Sequence, residues 1–190
     1  GASIKTLGGF GLAGVSGLAF LILCTDYATS RVTTWLHPFD DPKGSGFQVV
    51  QSLYAIGSGG LLGLGLGQSR QKHLYIPEPQ NDYIFSITCE ELGFIGALVV
   101  ILLFVLLIWR GFTIAFHTQD VFGSMLVIGI TSHVAVQTIL NIAVVTNAIP
   151  STGIGLPFFS YGGTALSILM VEMGIVLSVS RYSSLDKDQP

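Results

Sequence analysis

Charge is what this chain has least of. Only 10% of its 190 residues are Asp, Glu, Lys or Arg, against roughly a quarter in ordinary soluble domains, and mean hydropathy is +0.69. A soluble globular domain is therefore excluded as the simplest reading, and the chain belongs in lipid. The eight Lys and Arg residues are scattered, so no basic stripe exists to neutralise a run of phosphates and no nucleic-acid partner is expected. Cysteine is equally scarce: Cys24 and Cys89 are too few and too far apart for a thiolate metal site and read as small apolar residues. The chain opens Gly1-Ala2-Ser3 with no basic region leading to a cleavage site. The expectation is the start of an excerpt from a longer chain, not a secretory signal.

Long uncharged runs are what is there. Thr6 to Thr25 carries no charge, and about twenty such residues span a hydrocarbon core of roughly 30 Å as a helix. Gly9, Ala13 and Gly17 put small side chains on one stripe of it, a packing signal for a neighbouring helix. Further spans are expected over 92–109, closed by Trp109-Arg110, over 121–145, and over 164–180. Thr88 and Glu91 have capping-box spacing ahead of the second span, although its helix can begin near Asp82. Between Asp26 and Asp82 charges, four prolines and turn pairs such as Asp41-Pro42 break any helical period, predicting a long loop. Within it Phe47 to Ile56 reads as a short amphipathic helix. The glycines from Gly57 to Gly67 that follow read as a turn segment at, or dipping into, the membrane surface. The fold class is thus an all-α polytopic membrane protein with about four spans. Cations divide equally between the two sides, but Lys5, Arg110 and Arg181 flank spans closely, so cytoplasmic ends and an extracytoplasmic 26–83 loop are expected.

Polar groups inside these runs are the candidates for chemistry. His133, Gln137 and Asn141 stand at i, i+4 and i+8 and share one helix face. They serve either interhelical hydrogen bonding or a polar cavity. Glu172 sits mid-span, where an ionised acid costs on the order of 3 kcal/mol, so it should face protein or water. Glu78, Asp82, Glu90 and Glu91 form the densest acidic group, preceded by Arg70 and Lys72. Such a mixture suits an anionic lipid-linked substrate, with cations on a phosphate and a carboxylate handling a proton. The ordinary alternatives are Asp82 as an N-cap, Glu91 in a capping box, and Arg70 and Lys72 at lipid headgroups.

The stretch Pro150-Ser151-Thr152-Gly153-Ile154-Gly155-Leu156-Pro157-Phe158-Phe159-Ser160-Tyr161-Gly162-Gly163 resembles the signature of the SEDS family of peptidoglycan glycosyltransferases, the FtsW/RodA/SpoVE group. Leu74 to Phe85 with Glu90-Glu91-Leu92-Gly93 resembles the family stretch that holds a catalytic aspartate, and the match falls on Asp82. Gln80-Asn81 stands where many relatives have His-Thr. The resemblance covers residues 8 to 182 and implies the last four helices of a ten-helix fold. Gly67 to Lys72 looks closer to the division and sporulation branch than to the elongation branch.

By that resemblance the activity is polymerisation of lipid II, with Asp82 as general base and undecaprenyl pyrophosphate leaving with inversion. Arg70 and Lys72 become candidates for pyrophosphate contact. Ser160, Tyr161, Gly162 and Gly163 form a turn with a substrate contact as a second reading, and Glu78, Glu90 and Glu91 are supporting acids. The implied partners are lipid II, the nascent glycan chain, a transpeptidase of the penicillin-binding class and other division or sporulation membrane proteins. A divalent cation as cofactor stays open. The competing reading is a flippase or transporter with Glu172 and His133 lining the path, and a third is a scaffold for division proteins.

Overall fold

The computed structural model describes residues 3–24, 26–69 and 81–183, and every regular element among them is helical. Arg70, Lys72 and Glu78 lie outside the described residues. Helix α1 runs Ile4–Cys24, α2 Asp26–Leu36, α3 Phe47–Ser58, α4 Ile84–His117, α5 Val121–Val145 and α6 Gly163–Ser180. Among the described residues, α4, α5 and α6 are long and apolar enough to cross a membrane. The outer face of α4 leaves Phe94, Leu98, Leu102 and Leu106 exposed, a surface that suits hydrocarbon and not water.

These three helices pack together, α4 on α5 most extensively. At one end the core is built from Tyr83, Phe85, Cys89, Val100, Phe104, Val144, Val145 and Leu156. At the other, Ile114, Ala115, Val127, Ile130 and Val176 close the bundle. The turn into α5 is capped by Asp120, whose carboxylate accepts from the Phe122 and Gly123 amides at 3.3 and 2.7 Å. Helix α3, at 12 residues, is roughly 18 Å long, too short to span. It packs on α4 and α5, with Ser52 donating to the Val145 carbonyl at 2.9 Å.

Three local expectations need correction. Asp26–Leu36 is a helix, not loop: it contains neither Pro nor Gly, and the breakers begin at Pro38. It is anchored from outside, the Trp35 indole donating to the Asn147 carbonyl at 3.1 Å and the Asn147 amide to the Trp35 carbonyl at 3.3 Å. Thr88 and Glu91 form no capping box, since α4 has already begun at Ile84 and the Thr88 hydroxyl donates back to the Ile84 carbonyl at 3.0 Å. Asp82 is not the N-cap either. Tyr83 takes that place, with no side chain capping the helix. Among the described residues the small-residue stripe on α1 is left open: β-carbons added at Gly9 or Gly17 meet nothing within 4 Å.

The glycines of 57–67 explain a break in α4. Gly93 has φ 68° and ψ −170°, a conformation open essentially to glycine alone. The break frees the carbonyls of Glu90 and Glu91 and the amides of Phe94 and Ile95, which an unbroken helix would pair with each other. The glycine segment takes up all four. Leu64 and Gly65 amides donate to the Glu90 and Glu91 carbonyls at 2.9 and 3.0 Å, and the Phe94 and Ile95 amides donate to the Gly60 and Leu61 carbonyls at 2.9 and 3.2 Å. The approach is so close that a β-carbon on Gly63 would strike the Glu91 carbonyl, and one on Gly93 the Gly63 amide.

Candidate functional site

The signature segment 151–162 has no helix of its own. It runs back along α5, held by the polar face of that helix. The Asn141 amide donates at 2.8 Å to the Ile154 carbonyl, and Gln137, one turn nearer the start of α5, donates at 3.0 Å to the Gly155 carbonyl. Irregular backbone inside a bundle needs such donors, because lipid offers none. Asn141 also reaches the Asp82 carbonyl at 2.8 Å, so one fully buried side chain ties the start of α4 to the signature segment. His133, a further turn along, meets Glu172 of α6 at 3.3 Å. Of the two readings for this face, Gln137 and Asn141 follow the hydrogen-bonding one, while Gln137 and His133 also line a cavity.

That cavity is a cleft of about 630 Å³ between α5, α6 and the signature segment. Asp82 stands in its wall together with Gln137, His133, Glu172, Ser160 and Tyr161. Gly162 also lines it, and Gly163 begins α6. Ser160 shapes the turn: its hydroxyl accepts from the Leu156 amide at 2.6 Å, and Phe158 is held at φ 65° between them. Gly153, at φ 72°, brings its backbone beside the Asp82 carboxylate; a β-carbon there would lie 3.6 Å from Oδ2. The chemistry available is that of a carboxylate at the head of a mostly apolar groove, with a second acid paired to an imidazole at its far end.

The sequence cluster of acids does not gather on this cleft. Glu90 and Glu91 sit roughly 12 Å along α4 from Asp82, by the rise of a helix. Glu90 is buried and accepts from the Ser69 hydroxyl. Glu91 is half-buried beside the Gly93 break, where its backbone holds Gly65. Among the described residues no three His, Cys, Asp or Glu side chains come together as metal ligands.

Sequence reasoning overlooked Tyr83 and Arg31. Burial pushes the Tyr83 phenol up to about 12, the Asp82 charge adds to the shift and the Arg31 charge opposes it. Arg31 donates to both the backbone carbonyl and the hydroxyl of Ser151, the latter at 3.2 Å. Its signal in the sequence is a cation in a breaker-free stretch with Trp35 one turn on, which the expectation of a loop from Asp26 to Asp82 hides.

A family model described as "Cell cycle protein", that of FtsW, RodA and SpoVE, matches residues 1–185. The chain is 54% identical over 183 residues to "Stage V sporulation protein E" of Bacillus subtilis, covering 96% of this chain and 50% of that protein. It is 42% identical over 170 residues to "Probable peptidoglycan glycosyltransferase FtsW" of Geobacter sulfurreducens, covering 90% and 46%. A solved chain described under "Structural coordination of polymerization and crosslinking by a peptidoglycan synthase complex" superimposes with a TM-score of 0.66 at 32% identity, covering 93% of this chain and 48% of that one. The chain thus spans about half the length of the curated relatives it matches. With the helical bundle and the signature segment in place, this chain belongs to the FtsW/RodA/SpoVE family of multi-pass membrane proteins.

Proposed function

We propose that the protein polymerises lipid II into glycan strands in cell division or sporulation. The observation that carries the reading is the Asp82 carboxylate in the wall of the cleft, beside the signature segment. In the proposed step Asp82 accepts the proton of the acceptor sugar's C4 hydroxyl as that oxygen bonds to the anomeric carbon of the growing chain. The bond from that carbon to undecaprenyl pyrophosphate breaks with inversion. A well-placed base supplies about 100- to 10,000-fold in rate. Arg70 and Lys72 are the proposed contacts for the departing pyrophosphate, and Ser160 to Gly163 contact substrate from the signature turn. The apolar part of the cleft, with Leu140, Leu166 and Leu169, suits a lipid-linked substrate.

In this reading α1, α4, α5 and α6 cross the membrane with cytoplasmic ends, and the cleft opens on the outer side. That α2, α3 and the 147–151 turn meet at one end of the bundle supports a shared face. A transpeptidase of the penicillin-binding class is the proposed partner, in line with the synthase complex to which the fold is similar. The second reading, a flippase, draws on the His133–Glu172 pair lining the same cleft.

The full-length protein with Asp82→Asn, reconstituted with lipid II, tests the assignment. Asparagine keeps the backbone carbonyl bonded to Asn141 and the side-chain size, so expression should hold while polymerisation falls about 100-fold or more. Near wild-type polymer from that variant would turn the assignment down, and lipid transport without polymer would favour the flippase.

A further inference from the structure

We propose that Arg31 is a positioning residue for the Asp82 carboxylate, bracing from α2 the turn that walls it and setting a positive charge beside it. The inference rests on Asp82 as the base and adds to it the contacts that Arg31 and Trp35 make from α2. Arg31 donates to the carbonyl and hydroxyl of Ser151. Trp35, one turn further along α2, exchanges hydrogen bonds with Asn147 at 3.1 and 3.3 Å. The turn from 147 to 153 is therefore gripped at two points from one helix. Two residues past Ser151, Gly153 sits at φ 72° with its β-position 3.6 Å from Asp82 Oδ2. Movement of Ser151 moves that wall.

The electrostatic half follows from the shared neighbour. Arg31 holds Ser151, two residues from the Gly153 backbone that walls the Asp82 carboxylate, and both charges act on the Tyr83 phenol with opposite sign, so they share a neighbourhood of limited exposure, where charges are poorly screened. The described titratable groups that line the cleft with Asp82 are Tyr161 of the signature segment, His133 of α5 and Glu172 of α6, and Tyr83 adjoins it at the start of α4, whereas Glu90 and Glu91 lie further along that helix. Arg31 of α2 adds a positive charge to these groups. An adjacent positive charge favours the ionised carboxylate, the form a general base must have. Arginine suits the task because its planar fork can hold Ser151 while its charge persists at every working pH.

Two substitutions in the full-length protein separate brace from charge. Arg31→Gln removes the charge, so the acid limb of kcat/KM for lipid II polymerisation should move up by about half a pH unit or more. Arg31→Lys keeps the charge but not the fork, so the limb should stay at its wild-type pH while kcat falls about 3- to 10-fold. A readout independent of turnover uses Asp82→Cys in a background lacking Cys24 and Cys89. The pH at which the thiol is half-alkylated should rise on adding Arg31→Gln and stay in place on adding Arg31→Lys. An unmoved acid limb or alkylation midpoint with Arg31→Gln overturns the electrostatic half, and wild-type kcat with Arg31→Lys overturns the brace. If Arg31→Gln does not fold, the Arg31→Lys arm decides alone, wild-type kcat again counting against the proposal. Failure of the base assignment itself would show separately, as polymerisation by Asp82→Asn.

Discussion

The side-chain amide of Asn141 lies 2.8 Å from the backbone carbonyl of Asp82, fifty-nine residues away in the chain. The same nitrogen holds the Ile154 carbonyl at 2.8 Å, so the start of α4 and the signature segment share one buried donor. Asn141→Leu leaves both carbonyls without that donor, at a cost of about 1–3 kcal/mol. Thermal unfolding in detergent should show the loss, and polymerisation should fall because Asp82 and the segment are no longer in register. Wild-type stability together with wild-type activity would refute the role of this tie.

The His133–Glu172 pair joins α5 to α6 at 3.3 Å. Glu172→Leu should lower the unfolding temperature before it affects chemistry. Adding His133→Leu should cost less than it does in the wild type, since the partner is already gone. If Glu172→Leu leaves the protein fully stable and abolishes only activity, this acid is functional and its structural reading is wrong.

Two glycines, one in α3 and one in α4, should behave oppositely. Gly57 lies in α3 with nothing within 4 Å of its β-position, and Gly57→Ala should stabilise by up to about 1 kcal/mol. Gly93→Ala places a β-carbon against the Gly63 amide at a backbone conformation alanine avoids. It should destabilise by about 3 kcal/mol or more. Chemical denaturation of both variants checks the contrast, and equal stabilities would contradict the docking of the glycine segment on the break.

Tyr83 is buried with no hydrogen-bond partner for its hydroxyl among the described residues. Its pKa rises from 10.0 to about 12, chiefly through burial. Because the folded state favours the neutral phenol, this group leaves stability unchanged below pH 10 and lowers it as the pH climbs from 10 through 12. Tyr83→Phe should be neutral or stabilising by about 1 kcal/mol near pH 7. Its advantage over the wild type should widen above pH 10, and a constant gap between the two unfolding curves would reject the shift.

Lys43 and Thr152 are both exposed, at the end of the bundle where α2 meets the 147–151 turn. Single cysteines at these positions, with Cys24 and Cys89 replaced, should both react with an impermeant thiol reagent added to intact spheroplasts. Labelling at one alone would break the proposed four-span topology.

The sequence by itself determined what is local. Hydropathy and length specify α4, α5 and α6, because an apolar run in lipid must satisfy its own backbone as a helix. The expected 121–145 helix is found at Val121–Val145. The 3.6-residue period put His133, Gln137 and Asn141 on one face before any partner was known. What the tertiary structure decided depends on pairs distant in sequence. Asp26–Leu36 folds as a helix though its polar, β-branched composition is a weak signal, and it holds Asn147 and Ser151 more than a hundred residues away. The break at Gly93 is sustained by carbonyls and amides of the glycine segment, which no periodicity reveals. Sequence proximity grouped Glu90 and Glu91 with Asp82, but the rise of α4 carried them away from the cleft, and the chain's return past Asn141 brought Gly153 to the carboxylate instead.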